Sequence, residues 1–244
     1  MKLDEINLEG HWDAMKPYGM MKDGQGKVMT WFDLRKKYDV KANSVNRPRF
    51  VSSAINGFPA IDFTGANIGL VSDVKYSKAP GHPFTWIMAV KPKAGNSWNN
   101  IFSTADNNWD GLNINSGWVY HPIAASTDGA HGWGVPSNIR GFELPAEELT
   151  IYTVWYDGTN AKIYWGNTIK TENRPTNWNK GQIGFVSMGL GIQNTHHDYS
   201  GFIGEVLAYD TALEASRLSK IIDAMTIKWT KGASWVDYRL GKQI

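Results

Sequence analysis

The chain has 244 residues and no cysteine, which excludes disulfide bonds and thiol chemistry. Its 25 basic and 23 acidic residues leave a formal net charge of +2, so a polyanionic partner such as a nucleic acid is not expected. No segment approaches the roughly 20 consecutive apolar residues of a membrane-spanning helix, and the first residues lack the apolar core of a signal peptide. We therefore expect a globular protein without membrane insertion.

Short segments with strand periodicity, separated by Gly, Asn and Pro, recur along the chain. The clearest predicted strands are residues 84–91, 101–104, 111–114, 151–156, 161–165 and 183–188. Asp157-Gly158 and Gly166-Asn167 are typical of hairpin turns, because Gly and Asn tolerate the positive φ that such turns require. The pattern favours a single all-β sandwich or jelly roll.

Residues 201–229 predict a buried strand followed closely by an amphipathic helix. Glu205 is the only ionisable residue between positions 202 and 209, so this strand is expected to be packed on both faces. Thr211, with Glu214 three residues later, has the spacing of an N-terminal capping box. The helix then carries one apolar stripe, formed by Leu218, Ile221, Ile222, Met225 and Trp229.

This C-terminal segment resembles the end of LamG-like, concanavalin A-type lectin/glucanase domains. The matching positions are Gly201, Ile203, Glu205, Val206, Tyr209, Leu213, Lys228 and Trp229. Earlier motifs agree in order: Trp31, Asp33 and Leu34, residues 56–63 with Gly65, Pro83-Phe84-Thr85, Ile101-Phe102-Ser103, and Tyr156-Asp157-Gly158. The resemblance covers about residues 28–229. It implies a concanavalin A-like jelly-roll sandwich of two antiparallel sheets with a short C-terminal helix.

The two ends of the chain, residues 1–27 and 230–244, lie outside this resemblance and are interpreted as arms. They are rich in apolar and aromatic residues, among them Trp12, Met15, Tyr18, Met20 and Met21 at the first end and Trp235, Val236, Tyr238, Leu240 and Ile244 at the second. Such side chains are enriched where proteins meet, so each arm either holds a neighbouring subunit or particle surface or folds back on its own sandwich. We expect a homo-oligomer, and virion proteins are possible partners of the arms.

The same fold houses glucanases, but the sequence does not predict catalysis. Glycan hydrolysis needs two carboxyl groups about 5–10 Å apart, which on a strand means acids at alternate positions. Glu205 has no such neighbour, and the adjacent Glu147 and Glu148 would point to opposite faces of an extended chain. No G-x-S-x-G nucleophile motif is present either. We expect no enzymatic activity, and a glycan hydrolase is the least favoured alternative.

Ten of the 12 tryptophans, all except Trp12 and Trp235 near the two ends of the chain, fall into two groups. Trp31, Trp86, Trp155, Trp165 and Trp229 lie in strand or helix patterns and are expected in the core. The second group lies in polar, glycine-rich surroundings, where an indole can stack on a sugar ring while neighbouring amides bind its hydroxyls. The predicted carbohydrate-binding residues are Trp98, Asn100, Trp109, Trp118, Trp133 and Trp178. The alternative is that these rings cap the sandwich or contact a partner subunit.

One segment has the opening pattern of a calcium loop. Asp106, Asn108 and Asp110 alternate before Gly111, so their oxygens can converge on one cation. Gly117 stands at the twelfth position, where an EF-hand has Glu, so this is not an EF-hand. Many LamG-type domains hold calcium near their ligand, and the resemblance therefore implies calcium as a possible cofactor. The alternative is an ordinary Asx-rich loop.

Together these patterns predict a non-catalytic carbohydrate-recognition or surface-display module. A chain that starts at its own Met without an export signal suggests a bacteriophage tail fibre or capsid component that binds host surface glycans. The localisation is then the virion, or otherwise an extracellular or cell-surface setting. The competing class is a structural virion protein that decorates or cements a particle without binding sugar.

Overall fold

The computed structural model describes residues 6–42, 46–79, 81–93, 100–104, 113–115, 119–120, 144–173, 182–189 and 199–231. Within these ranges the chain forms two eight-stranded sheets and one helix. All strand pairs within both sheets are antiparallel. The described part of the chain contains no helix with the length and apolar character that a bilayer crossing requires. The predicted all-β sandwich with a C-terminal helix is confirmed.

The first sheet, sheet A, has the order β14-β13-β12-β8-β16-β6-β5, and β1 also pairs with β16. Its strands are β1 (Leu8–Asp13), β5 (Arg49–Ile55), β6 (Phe58–Asp62), β8 (Phe84–Pro92), β12 (Thr150–Tyr156), β13 (Ala161–Trp165), β14 (Thr168–Asn173) and β16 (Gly201–Tyr209). One edge of β16 pairs with β8, while its other edge pairs first with β6 and then with β1. The strand predicted at 202–209 is therefore the centre of this sheet.

The second sheet, sheet B, has the order β11-β10-β9-β15-β7-β4-β3-β2. Its strands are β2 (Met20–Lys22), β3 (Val28–Trp31), β4 (Val40–Ala42), β7 (Leu70–Lys78), β9 (Asn100–Ser103), β10 (Asn113–Asn115), β11 (Val119–Tyr120) and β15 (Gln182–Met188). The only helix of the described residues, α1, spans Ala215–Thr230. It packs on the face of sheet A that points away from sheet B.

Alternation along β8 shows how the layers are built. Trp86, Met88 and Val90 point into the core between the two sheets, whereas Ile87 and Ala89 point into the core beneath α1. The stripe predicted on the helix fills this second core, because all five of its members are buried. Among the predicted core tryptophans, Trp31, Trp86 and Trp229 are fully buried, while Trp155 and Trp165 are half-buried against the cores.

The start of α1 differs from the predicted capping box. The helix begins at Ala215 with Glu214 at the N-cap, and no side chain caps it, so the prediction of Thr211 as N-cap is wrong. The reason lies in β8. Thr85 Oγ1 donates to the carbonyl of Thr211 at 2.9 Å and accepts from the backbone N–H of Leu213 at 3.0 Å. These bonds tie residues 211–213 to the sheet before the helix can start.

The N-terminal segment is part of the sandwich. In β1, Trp12 lies opposite Val206 of β16, is fully buried, and donates its indole N–H to the carbonyl of Tyr38 at 3.1 Å. Further along, β2 forms the edge of sheet B. Of the two alternatives for residues 6–27, the structure shows the one in which the segment packs on its own sandwich. Residues 232–244 of the C-terminal arm lie outside the described residues.

Candidate ligand-binding cleft

A cleft opens where the edges of the two sheets meet. The turn of residues 23–27, which joins β2 to β3 in sheet B, lies against the start of β5 at the edge of sheet A. Two backbone hydrogen bonds fasten this junction. The N–H of Val28 donates to the carbonyl of Pro48 at 2.7 Å, and the N–H of Phe50 donates to that of Gly26 at 3.1 Å. Side chains at this point therefore sit on a rigid backbone.

The cleft has a volume of about 320 Å³. This lies at the lower end of the about 300–1,000 Å³ that is usual for small-molecule sites, so the cleft suits a short ligand segment. It is lined by four basic side chains, one carboxylate, one amide, one hydroxyl and one aliphatic side chain, which are Lys27, Arg47, Arg49, Lys93, Asp62, Asn46, Thr64 and Ile68. These side chains can form hydrogen bonds, ion pairs and one apolar contact with a ligand.

Asp23 organises the turn beside the cleft. Its Oδ1 accepts from the backbone N–H groups of Gln25 at 2.9 Å and Lys27 at 3.0 Å, and its Oδ2 accepts from Arg47 at 3.0 Å. The hydrogen bond from the Lys27 backbone is the largest influence on the pKa of Asp23, and with the Arg47 guanidinium it holds that pKa below its usual value. The charge of Arg47 is thus compensated within the protein.

Asp62 anchors a second loop of the cleft. Its Oδ1 accepts from the backbone N–H of Thr64 at 2.9 Å, and its Oδ2 lies 3.6 Å from Nζ of Lys93. Gly65 follows with a φ of +136°, and a Cβ at this position would lie 2.5 Å from Cδ1 of Ile68. The positive φ favours glycine at this position, and an added Cβ would also move the end of the Ile68 side chain.

Lys27 and Arg49 face each other across an isolated antiparallel bridge. Directly opposite residues of such a pair point to the same side, with Cβ atoms about 5 Å apart. No side chain among the described residues forms a hydrogen bond or ion pair with the side chain of either residue. On its other side, Arg49 lies directly opposite Asp62 in the register of β5 and β6, and Asp62 also lies 3.6 Å from Nζ of Lys93. One carboxylate therefore stands beside several basic side chains, and the cleft keeps an excess of positive charge.

A second charged cluster lies inside the protein, between β1, β16 and α1. Nζ of Lys228 lies 3.0 Å from Oδ2 of Asp13 and 2.5 Å from Oε2 of Glu205. The indole N–H of Trp229 donates to the same Glu205 oxygen at 3.0 Å, and Nε2 of His11 lies 3.0 Å from Oε1. The side chains of Glu205 and Lys228 are only 2% and 4% exposed.

The electrostatics of this cluster keep both partners charged. Burial by itself would raise the pKa of Glu205, but the ammonium of Lys228 and the bond to His11 hold it well below its usual range. Burial would likewise lower the pKa of Lys228, but the carboxylates of Glu205 and Asp13 raise it. The result is a compensated ionic network that fastens the helix to sheet A.

The same cluster has the donor atoms of a metal site. One ligand atom each from His11, Asp13 and Glu205 lie within 4.8 Å of one another. Lys228, however, already bonds to both carboxylates, so an ammonium takes the place that a cation would need. The network was not predicted from the sequence, because Glu205 has no acidic neighbour on its own strand and residues 1–27 were interpreted as an arm. The joint presence of Glu205 and Lys228-Trp229 in the segment that resembles LamG-like domains was the available signal.

The structure leaves most of the predicted site residues untested. Trp98, Trp109, Trp118, Trp133 and Trp178, and the calcium candidates Asp106, Asn108 and Asp110, lie outside the described residues. Asn100 is in β9 and is 2% exposed, which leaves little surface for a sugar contact. Glu147 and Glu148 lie in an exposed turn before β12, as expected of a polar loop.

No protein-family model matches the chain, and no curated protein matches it. Solved structures do resemble it. The Trypanosoma rangeli sialidase superposes with a TM-score of 0.58 and 11% identity over 95% of this chain, which spans 34% of the sialidase. The binding domain of botulinum neurotoxin serotype G superposes with a TM-score of 0.60 and 15% identity. The alignment covers 90% of this chain and 51% of the neurotoxin chain.

A third structure matches nearly end to end. Domain 4 of AbnA, a GH43 extracellular arabinanase from Geobacillus stearothermophilus solved in complex with arabinotriose, gives a TM-score of 0.58 and 12% identity. The alignment covers 88% of this chain and 98% of that domain. At these identities the likeness establishes the fold alone. The chain is therefore a β-sandwich of the kind found in these three proteins.

Proposed function

We propose that the protein is a non-catalytic glycan-binding module that uses the cleft at the junction of the two sheets. The cleft itself is the observation that carries this proposal. Sugars are recognised by convergent hydrogen-bonding groups beside a small apolar surface. In the cleft, Thr64, Asn46 and the charged side chains supply the hydrogen-bonding groups, and Ile68 supplies the apolar surface.

The structural comparison supports the same ligand class. Domain 4 of the arabinanase was solved with arabinotriose, a short oligosaccharide, and it matches this chain over 98% of its own length. A single sandwich of this size is therefore enough to hold a short glycan. The volume of the cleft in the present protein suits a ligand segment of similar scale.

The carboxylates of the described residues support a binding role over hydrolysis. The cleft is lined by one carboxylate, Asp62, whereas glycoside hydrolysis ordinarily uses two. Asp13 and Glu205 do lie together, but both are buried and share the ammonium of Lys228. A substrate cannot reach this pair without opening the core.

Other parts of the proposal rest on the sequence. They are sugar contacts by the loop tryptophans, calcium at Asp106, Asn108 and Asp110, assembly as a homo-oligomer, and a place on a bacteriophage tail or capsid. The alternative function is that of a structural virion protein that binds no sugar. Absence of glycan binding would favour it.

A glycan array probed with the purified chain, in calcium and then in chelator, tests the proposal. Wild type should bind at least one glycan, and Thr64→Leu should weaken that binding about tenfold, because a lost hydrogen bond and added bulk both act in the cleft. Thr159→Leu, in the exposed turn between β12 and β13, is the matched control and should bind like wild type. Absence of any bound glycan would refute the function, while unchanged binding by Thr64→Leu would refute the cleft as its site.

A further inference from the structure

We propose that the cleft recognises acidic glycans, with Lys27 and Arg49 together receiving a carboxylate or sulfate group of the sugar. This inference rests on the glycan-binding function proposed above and names the chemical class of its ligand. It starts from the charge in the cleft, where four basic side chains stand against one carboxylate.

The four basic side chains are not equivalent. Arg47 is held by Asp23 at 3.0 Å, and Nζ of Lys93 lies 3.6 Å from Asp62. Lys27 and Arg49 form no ion pair with a described side chain, although Asp62 lies directly opposite Arg49 in the register of β5 and β6. The charge available to a ligand is therefore concentrated on these two residues.

Their placement suits one shared anion. Like charges directly opposite each other in an antiparallel pair repel, and Asp62, opposite Arg49 on the other side, offsets only part of this repulsion because it also lies beside Lys93. An anionic group between Lys27 and Arg49 would remove this repulsion and gain two charge-assisted hydrogen bonds. The planar guanidinium of Arg49 matches the two oxygens of a carboxylate or sulfate, while Lys27 adds a point charge.

The junction also holds the pair in place before a ligand arrives. The bonds of Val28 to Pro48 and of Phe50 to Gly26 bracket the bridge, and Asp23 fixes the turn that carries Lys27. A site whose backbone is already fixed loses less conformational entropy on binding. The two side chains alone must order themselves around the anion.

The remaining lining favours an acidic sugar over a dense polyanion. Asp62 lies in the same cleft and would repel a second anionic group close to the first. Thr64, Asn46 and Ile68 offer contacts to hydroxyl groups and to an apolar ring face. A nucleic acid, with a charge on every nucleotide, uses neither of these features well.

Calorimetry of the full chain with defined probes tests this inference. The carboxylate probe is a galacturonic acid tetramer, the sulfate probe is a sulfated galactan tetramer, and the neutral probe is an unsulfated galactan tetramer. We expect at least one acidic probe to bind at least tenfold more tightly than the neutral one, and its affinity to fall several-fold from 50 to 200 mM salt. Whichever acidic probe binds identifies the group that is recognised.

Three variants locate the effect. Arg49→Gln should weaken the acidic probe at least tenfold and Lys27→Gln about fivefold, while both leave the neutral probe unchanged. Lys220→Gln, which removes the same unit of charge from the exposed face of α1, should bind like wild type. Denaturation midpoints of the three variants that are no lower than that of wild type exclude unfolding as the cause. If one cleft variant does unfold, the binding of the other cleft variant tests the inference.

The outcomes separate this inference from the function on which it rests. Preference for the neutral probe, or unchanged binding by both cleft variants, overturns the acidic class but leaves glycan binding intact. Equal affinity for inorganic sulfate alone or for a single-stranded oligonucleotide also overturns it. Binding of no glycan on the array overturns both proposals.

Discussion

The buried ionic cluster and the cationic cleft hold similar side chains under opposite conditions. In the cluster, Lys228 contacts two carboxylates, and its charge is neutralised within the protein. In the cleft, Lys27 and Arg49 face each other without an ion pair to a described side chain, and Asp62, which lies opposite Arg49, also stands beside Lys93. An unpaired charge can persist only where water solvates it, so the core must pair its charges, while the cleft leaves them open to a ligand.

This contrast separates stability from binding. Changes in the cluster should lower the free energy of unfolding without altering glycan affinity at temperatures where the variant is folded. Changes in the cleft should alter glycan affinity and leave the free energy of unfolding nearly unchanged.

Replacing Lys228 with Met should destabilise the protein most. The substitution leaves Asp13 and Glu205 buried together without a cation, and loss of one partner from a buried ion pair costs about 3–5 kcal/mol. Urea denaturation measures the loss. Lys220→Met, on the exposed side of the same helix, is the control and should change stability by less than about 0.5 kcal/mol. Similar stabilities for the two variants would show that the cluster does not hold α1 in place.

Acid should weaken the same cluster through Glu205. Its pKa is lower in the folded protein than its ordinary value of 4.5, so its stabilising contribution is complete above that pH and is lost as the pH falls below it. The loss is about 1.4 kcal/mol per pH unit, or about 2 kcal/mol by about pH 3. Denaturation midpoints across this range should show the gap between wild type and Glu205→Gln narrowing with acid. A constant gap would mean that Glu205 binds protons equally in both states.

The bulk of Trp229 makes Gly204 the next sensitive position. A Cβ at Gly204 would lie 2.2 Å from the indole that donates to Glu205, so Gly204→Ala must displace the ring. Such overpacking costs about 1–3 kcal/mol. Thermal or urea denaturation can compare it with Gly24→Ala, where an added Cβ meets no atom within 4 Å. Equal stability of the two variants would show that the ring has room to move.

The smallest effect is expected in the cleft. Lys27→Gln removes one of two opposed positive charges, so it should stabilise the free protein by up to about 0.5 kcal/mol. The gain should disappear at high salt, where the repulsion is screened. Denaturation at two salt concentrations measures it. A clear loss of stability would reveal an internal partner for Lys27 and would weaken the contrast between the two regions.

Much of the fold was predictable because its signals are local. Alternation and helical periodicity depend on residues a few positions apart, which is why the structure contains the strands predicted at 84–91, 101–104, 151–156, 161–165, 183–188 and 202–209 and the apolar stripe on α1. The capping prediction failed for the opposite reason. Thr85, more than 120 positions away, supplies the hydroxyl that holds residues 211–213.

Neither charged region could be assembled from the chain alone. The cluster joins β1 to the C-terminal strand and helix, and the cleft joins the 23–27 turn, the start of β5, the loop after β6 and Lys93. Single members were visible, such as Glu205 and Lys228-Trp229 in the segment that resembles LamG-like domains and Gly65 near Asp62. Their partnerships were not, because nothing in a linear pattern fixes which strand edges meet.

Amino-acid order was thus enough to establish an all-β sandwich closed by an amphipathic helix, since burial of alternating side chains leaves few other solutions. The assembled chain alone determined which charges are paired and which are left for a ligand. Electrostatic energy depends on distance and on exposure to water, and both are properties of the folded arrangement. Basic side chains therefore have two roles in this protein: Lys228 stabilises the packing of α1 on sheet A, and Arg49 belongs to a candidate recognition site.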